Sequence, residues 1–213
     1  CDKTPPVVYN QKPIESLTYP PNKFYNSLPT ISGTADDSYP LLKVQLRIRN
    51  HTSPERWWNV QTNAFDITDA NMETAWVDAS TTTVDWKQWF STFSAWSSGY
   101  IYQVNSRAID VAGNYSAVYS TSYFRFDNDT PLTYVSLPQN GSFVSSLPQI
   151  TGTAVDQPDE VTPGNSGIVE VQLAVRNNKV FSESGGTQGW WTGVNFSGTS
   201  PDSNYFTPTG KNP

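Results

Sequence analysis

The sequence is short of most of the groups from which chemistry is built. Its 213 residues include one cysteine, one histidine and one methionine. A single cysteine forms no disulfide within the chain, and one cysteine with one histidine cannot complete a Cys/His zinc site. Charge is scarce as well: Asp, Glu, Lys and Arg make up 15 % of the residues, against about 25 % in an average globular domain. What charge there is leans acidic, 13 Lys and Arg against 19 Asp and Glu, for a net of −6. That balance lacks the basic footprint of a nucleic-acid binder. No apolar run approaches the roughly 18 residues that span a bilayer, so no transmembrane segment is expected. Neither a phosphate-cradling glycine loop nor a dinucleotide fingerprint is present.

What the chain has instead is uncharged polarity, in Ser, Thr, Asn and Gln, and aromatic side chains. With 8 Trp, 11 Tyr and 10 Phe, aromatics reach 14 %. Aromatic and β-branched residues suit a pleated, half-buried surface, so the composition points to an all-β protein.

An internal repeat organises the sequence. Leu28-Pro29-Thr30-Ile31-Ser32-Gly33-Thr34-Ala35 returns as Leu147-Pro148-Gln149-Ile150-Thr151-Gly152-Thr153-Ala154. The stretch Lys43 to Asn50 returns as Glu170 to Asn177, Trp57-Trp58 as Trp190-Trp191, and Lys3-Thr4-Pro5 as Asp129-Thr130-Pro131. All four pairs keep their order. The spacing between them grows along the chain, which places an insertion near Gln157 to Gly167. The first unit is read as residues 1–126 and the second as residues 127–213, with nothing after Tyr205 matching the first unit's Gly99-to-Phe126 segment.

Period-2 alternation marks the strands. Val44, Leu46 and Ile48 share one face against Lys43, Gln45, Arg47 and Arg49, and Val171, Leu173 and Val175 repeat the pattern. Tyr100, Tyr102, Val104, Ser106 and Ala108 form another alternating set. Asp110-Val111-Ala112-Gly113-Asn114 then reads as a turn, and Tyr115 to Phe126 as the returning strand. Helical spacing is weak; Asp85 to Phe93 fits a helix or a strand plus loop. Short strands separated by Pro, Gly and Asn suggest a sandwich.

Asp2-x-Thr-Pro, Ile-Ser-Gly-Thr-Ala-Asp, the alternating Val44-to-Ile48 strand and Tyr102-to-Asn114, with its Asp-x-Ala-Gly-Asn ending, together resemble the bacterial immunoglobulin-like repeats of large surface proteins, adhesins and secreted-enzyme accessory modules. The resemblance covers the first unit end to end and about two-thirds of the second. It implies tandem immunoglobulin-like β-sandwiches, the second incomplete at its C-terminal end, with Val104 where antibody domains have a cysteine. Tyr102, two residues before Val104, reads as the corner tyrosine of such sandwiches, or else as one more strand aromatic.

In that topology the chain entry and two loops meet at one end of each sandwich. Asp2, Asp36, Asp37, Asp110 and Asn114 fall there in the first unit; Asp127, Asp129 and Asp156, with Asp159 and Glu160 nearby, do so in the second. Crowded carboxylates call for a cation or for donors. Oxygen ligands in flexible loops suit Ca²⁺, and in the resembling family calcium at such ends stiffens the linker. The competing reading is that these residues serve turns through local backbone hydrogen bonds.

The tryptophan pairs Trp57-Trp58 and Trp190-Trp191 are candidates for a sugar-stacking platform. Alternatively each pair caps the core, with one ring buried and its neighbour outside. His51 is expected in a polar surface turn, away from any catalytic triad. Asp66, Asp69, Glu73, Asp78 and Asp85 have no repeated counterpart that would favour a hydrolytic carboxylate pair, and an enzyme is not expected. Cys1 at the start allows a lipid-anchored lipoprotein, but it aligns with a linker inside the chain, and the linker reading is preferred. The expectation is therefore a structural stalk, adhesin or filament module of an extracellular, cell-surface bacterial protein, partnered by neighbouring repeats or subunits and by glycans or host-surface ligands. The alternative is a carbohydrate-binding or accessory module of a secreted hydrolase.

Overall fold

The ten-residue strand Leu41–Asn50, which turns Val44, Leu46 and Ile48 inward, is the one on which most of the first unit is assembled. In the computed structural model, which describes residues 2–157, 164–178 and 189–199, the chain is all-β apart from one short 3-10 helix. Contacts divide it into two units, one of residues 1–133 with 155–167 and one of residues 134–154 with 168–213. Cys1, Asp159, Glu160 and the segment beyond Thr199 lie outside the described residues, as do the expectations attached to them. Among the described residues no helix is long and apolar enough to cross a membrane.

In chain order the strands of the first unit are β1 (Val7–Lys12), β2 (Phe24–Tyr25), β3 (Thr30–Asp36), β4 (Leu41–Asn50), β5 (Arg56–Asn59), β6 (Ala64–Ile67), β7 (Val77–Asp78), β8 (Ser80–Thr81), β9 (Gln88–Thr92), β10 (Tyr100–Asp110) and β11 (Ser120–Phe126). One sheet has the order β1-β3-β9-β8; the other runs β2-β11-β10-β4-β5-β6, with β7 also on β4. The central pair is β10 with β4, antiparallel from Tyr102↔Asn50 to Asp110↔Leu41. Inward residues from both sheets make one core: Val8, Ile31, Ala35 and Trp89 from the first, and Val44, Leu46, Ile48, Tyr102, Val104 and Phe124 from the second. Full burial of such side chains contributes about 1.5–3 kcal/mol each, which is why the alternation fixes the faces.

Two features are built around that core. Asn10, buried on β1, donates its side-chain amide to Ser122 Oγ at 3.0 Å and accepts from Ser106 Oγ at 2.7 Å, so the sheets share a satisfied polar knot. The Tyr102 hydroxyl accepts from the backbone N–H of Ser97 at 2.8 Å, five residues upstream. Burial pushes that phenol up to about 12.

Several expectations are resolved or revised by the folded chain. Of the two readings open for Asp85 to Phe93, the strand plus loop is the one found: β9 pairs with β3 and carries Trp89 into the core. The returning strand starts at Ser120, and Tyr115 makes only a single bridge to Ile109. The segment around Val171, Leu173 and Val175 carries one bridge residue and no strand. The inward residues of β4 are held by a nine-pair ladder to β10, and no described strand pairs with 171–175 in that way.

The second unit contains most of β12 (Leu132–Leu137) paired with β13 (Thr151–Val155), and a three-stranded sheet of β14 (Arg176–Asn177), β15 (Gly189–Trp191) and β16 (Phe196–Gly198). Its apolar residues are far less covered. Leu28 and Ile31 are 1 % and 0 % exposed, whereas their repeat counterparts Leu147 and Ile150 are 43 % and 37 % exposed.

The glycine of the repeated Gly-Thr-Ala motif has the same reason in both units. A Cβ on Gly33 would fall onto the Tyr9 carbonyl oxygen and the Trp89 ring, and one on Gly152 would fall onto the Tyr134 carbonyl oxygen. Each strand passes too close to its neighbour for any side chain.

Candidate functional site

The acids divide into two groups, and each is positioned by an end of a strand. At the first, the chain entry brings Asp2, the end of β3 brings Asp37 and the end of β10 brings Asp110, with one carboxylate oxygen of each within 4.8 Å of the others. Asp110 is fully buried by surface area. Burial alone would raise its pKa, but hydrogen bonds from the Asn114 side chain and from the backbone of Asn114, Ala112 and Gly113 hold it below the usual carboxylate range. Asp37 takes the N–H of Ser38 on Oδ1 at 2.7 Å, while its Oδ2 is buried with no hydrogen-bond donor. Three carboxylates thus converge, one of them with an oxygen that meets no donor, and all offer oxygen, the donor type that hard cations take.

Two residues assigned to this end stand apart from that role. The Asn114 side chain presents its nitrogen, donating to Asp110 Oδ2 at 2.7 Å and to the Asp2 backbone carbonyl at 3.3 Å, so it serves this end as a hydrogen-bond donor. Asp36 faces Lys87 at 3.7 Å.

The second group lies at the other end of the first unit. Asp127 Oδ1 accepts from Ser98 Oγ at 3.0 Å and Oδ2 from Ser166 N at 2.7 Å; Ser166 Oγ in turn donates to Asp156 Oδ2 at 3.3 Å. Burial pushes the Asp127 carboxyl up, and the Ser166 and Ser98 hydrogen bonds outweigh it and hold the group low. Asp129 contributes its backbone N–H to Asp127 and Ser98. The Asp127 and Asp156 carboxylates are satisfied by hydroxyl and backbone donors.

The tryptophan pairs obey strand alternation. Trp58 turns to the core side, against Phe65 at 5.1 Å and Phe93 at 4.9 Å. Trp57 turns outward yet is only 3 % exposed, because Arg47 covers its ring at 4.4 Å and its indole N–H donates to Asp69 at 2.8 Å. Arg49, its cross-strand partner, lies 5.5 Å from the same ring. In the second unit Arg176 faces Trp190 in the same cross-strand relation at 5.6 Å, and Trp191 meets Phe196 at 5.0 Å as Trp58 meets Phe65. Both pairs are therefore parts of one recurring hairpin. Trp190 and Trp191 are each half-buried.

Outside the sheet runs a ladder that sequence reasoning missed. Tyr115, Arg107, Trp76, Arg47, Trp57 and Arg49 alternate ring and guanidinium at 4.8, 4.1, 4.5, 4.4 and 5.5 Å. The 3-10 helix, Asp69–Ala75, lies over it and supplies counter-charges: Glu73 to Arg47 and Arg107, and Asp69 to Arg49. The outward arginines were visible in the alternation, but nothing local marked Trp76 as their partner. Asp66 bonds Asn59 and Thr62, and Asp78 bonds Lys43 and Gln45, so the acidic stretch is spent on neighbouring side chains.

His51 corrects an expectation. Its ring is 10 % exposed, packed against Tyr19 at 5.3 Å and Tyr123 at 5.5 Å. Gln103 gives its amide to Asn105, leaving its carbonyl oxygen to face His51 Nε2 at 2.7 Å. The segment before β2 crosses β11, with Ser16 N donating to the Thr121 carbonyl and Tyr123 N to that of Ser16, and this cover is what buries the ring.

No family model, no curated protein and no solved structure matches the chain.

Proposed function

We propose that this chain is a passive structural module, two immunoglobulin-like units in series, of an extracellular bacterial surface protein: a stalk, adhesin or filament segment. The observation that carries the reading is the recurrence of one hairpin, Arg49 across from Trp57 and Trp58 across from Phe65, as Arg176 with Trp190 and Trp191 with Phe196. Repeating the same unit along one polypeptide lengthens a molecule without adding chemistry. The Tyr102 bond to Ser97 and the shared need for glycine at Gly33 and Gly152 support it further. In this reading Trp57 and Trp58 are scaffold, and no residue has a catalytic role.

The same reading gives Asp2, Asp37 and Asp110 a task. They hold Ca²⁺ and rigidify the chain entry, where a preceding repeat would join. Neighbouring repeats or subunits are the partners. Antibodies against the full chain test the location: they label intact cells or the culture medium of the organism that makes it. Labelling only after permeabilisation overturns the reading.

A further inference from the structure

One turn of the second unit leaves an asparagine chemically unguarded. Residues 139–142 form a turn closed by Ser142 N donating to the Gln139 carbonyl at 3.0 Å, with the Ser142 hydroxyl on the same oxygen at 2.7 Å. Asn140 and Gly141 occupy its centre, Asn140 is exposed, and Gly141 has φ +76°. Among the described residues the Asn140 side chain has no hydrogen-bond partner, and the Gly141 N–H donates to none. A Cβ added to Gly141 would meet nothing within 4 Å. A backbone nucleophile and a side-chain electrophile are therefore neighbours, and no hydrogen bond among the described residues holds either one.

Asn165, Asn114 and Asn195 are guarded by their hydrogen bonds, and Asn26, also exposed, is followed by Ser27, whose Cβ hinders the ring closure that glycine permits. Asn165 also precedes a small residue, but its Oδ1 accepts from Gly167 N at 2.7 Å, and the nitrogen that would attack it, Ser166 N, is committed to Asp127 at 2.7 Å. Asn114 is held on Asp110 and is followed by Tyr115. Asn195 is bonded by Thr192 and Ser197 and is followed by Phe196.

We propose that Asn140 is a site of spontaneous covalent modification, deamidating through a cyclic imide formed with Gly141. The Gly141 backbone nitrogen gives its proton to solvent base and attacks Asn140 Cγ. A new N–C bond closes a five-membered ring, the bond to the side-chain nitrogen breaks, and ammonia leaves carrying the proton returned by solvent. Water then adds to either ring carbonyl and opens it, leaving aspartate or isoaspartate at this position. Ammonia is lost and water gained, with no redox change and no cofactor. Glycine favours closure because it carries no Cβ to obstruct the ring. The product adds one negative charge to a chain of net −6, and in the isoaspartate form the backbone runs through the former side chain, lengthening the turn by one carbon.

The test holds the full chain in mildly alkaline buffer and maps chymotryptic peptides by mass spectrometry. Cleavage after Tyr134 and Phe143 separates Asn140 from Asn128 and Asn165. The peptide containing Asn140 gains about one mass unit, as amide becomes acid, and splits into two isomers, while Asn114 and Asn165 persist. In urea, where Ser166 N loses Asp127, conversion at Asn165 accelerates and conversion at Asn140 continues. Gly141→Ala slows the reaction about tenfold or more. An intact Asn140, faster conversion at Asn165 in the folded chain, or a Gly141→Ala variant converting at the original rate would each overturn the proposal.

Discussion

Arg47 stacks on Trp76 with its guanidinium carbon 4.5 Å from the ring centre, and the same ring carries Arg107 at 4.1 Å. Arg47 is buried, and burial draws its pKa below the ordinary arginine value while the Glu73 carboxylate at 3.0 Å opposes that. Lysine would keep the charge and lose the planar stacking and the fork. Arg47→Lys should lower the unfolding free energy by about 1–3 kcal/mol, read as a lower urea midpoint at unchanged slope. A midpoint equal to that of the original protein would show that the ladder is ornamental.

Gly33 and Gly152 should respond alike in kind and differently in degree. Gly33→Ala forces a Cβ into the Tyr9 carbonyl and the core face of Trp89, and should cost about 3 kcal/mol or more. Gly152→Ala meets only the Tyr134 backbone in a sheet whose residues are largely exposed, and the strand can shift. Thermal melts of both variants check this: a tolerated Gly33→Ala would contradict the close approach.

The core of the first unit was legible because its signal is local. The alternation in Val44, Leu46 and Ile48 states both the strand and its buried face, and the repeat drew attention to Gly33 and the tryptophan pairs. What was not legible depends on contacts distant in sequence. His51 is enclosed by Tyr19 and Tyr123, neither of which neighbours it in the chain. Trp57 faces outward as alternation requires, yet is hidden by Arg47 and by the helix carrying Asp69. The acidic ends divided for the same reason: Asp2, Asp37 and Asp110 converge, while Ser166 and Ser98 satisfy Asp127.

His51 sets a pH window. Burial lowers its pKa, opposed by the Gln103 hydrogen bond; Arg49 lowers it further, and Glu55 and Asp69 raise it. The unfolded chain therefore takes up the proton first as pH falls below about 6.5. Stability is full above that value and declines as pH falls towards the folded pKa. Asp110 and Asp127, held low, lose their contributions only in the more acidic carboxylate range. Melting temperature between neutral and mildly acidic pH should drop in the original chain and stay flatter in His51→Gln. Equal drops in both would remove His51 from the account.

Calcium at Asp2, Asp37 and Asp110 should stabilise the first unit by mass action, about 2.7 kcal/mol at a concentration a hundredfold above the dissociation constant. Chelator-treated protein should melt higher after calcium is restored. Asp37→Asn should abolish that shift, and Asp36→Asn, whose carboxylate faces Lys87, should retain it. A melt indifferent to calcium, or a shift that survives Asp37→Asn, rejects the site.

A passive module in series must resist being pulled, so stretching the full chain by its two ends is the most direct measurement. The antiparallel ladder of β10 with β4 and β11 should hold the first unit until it gives way at once, releasing about 400 Å of extended chain at roughly 3.3–3.6 Å per residue. Gradual lengthening at low force, with no discrete release of that size, would contradict the account.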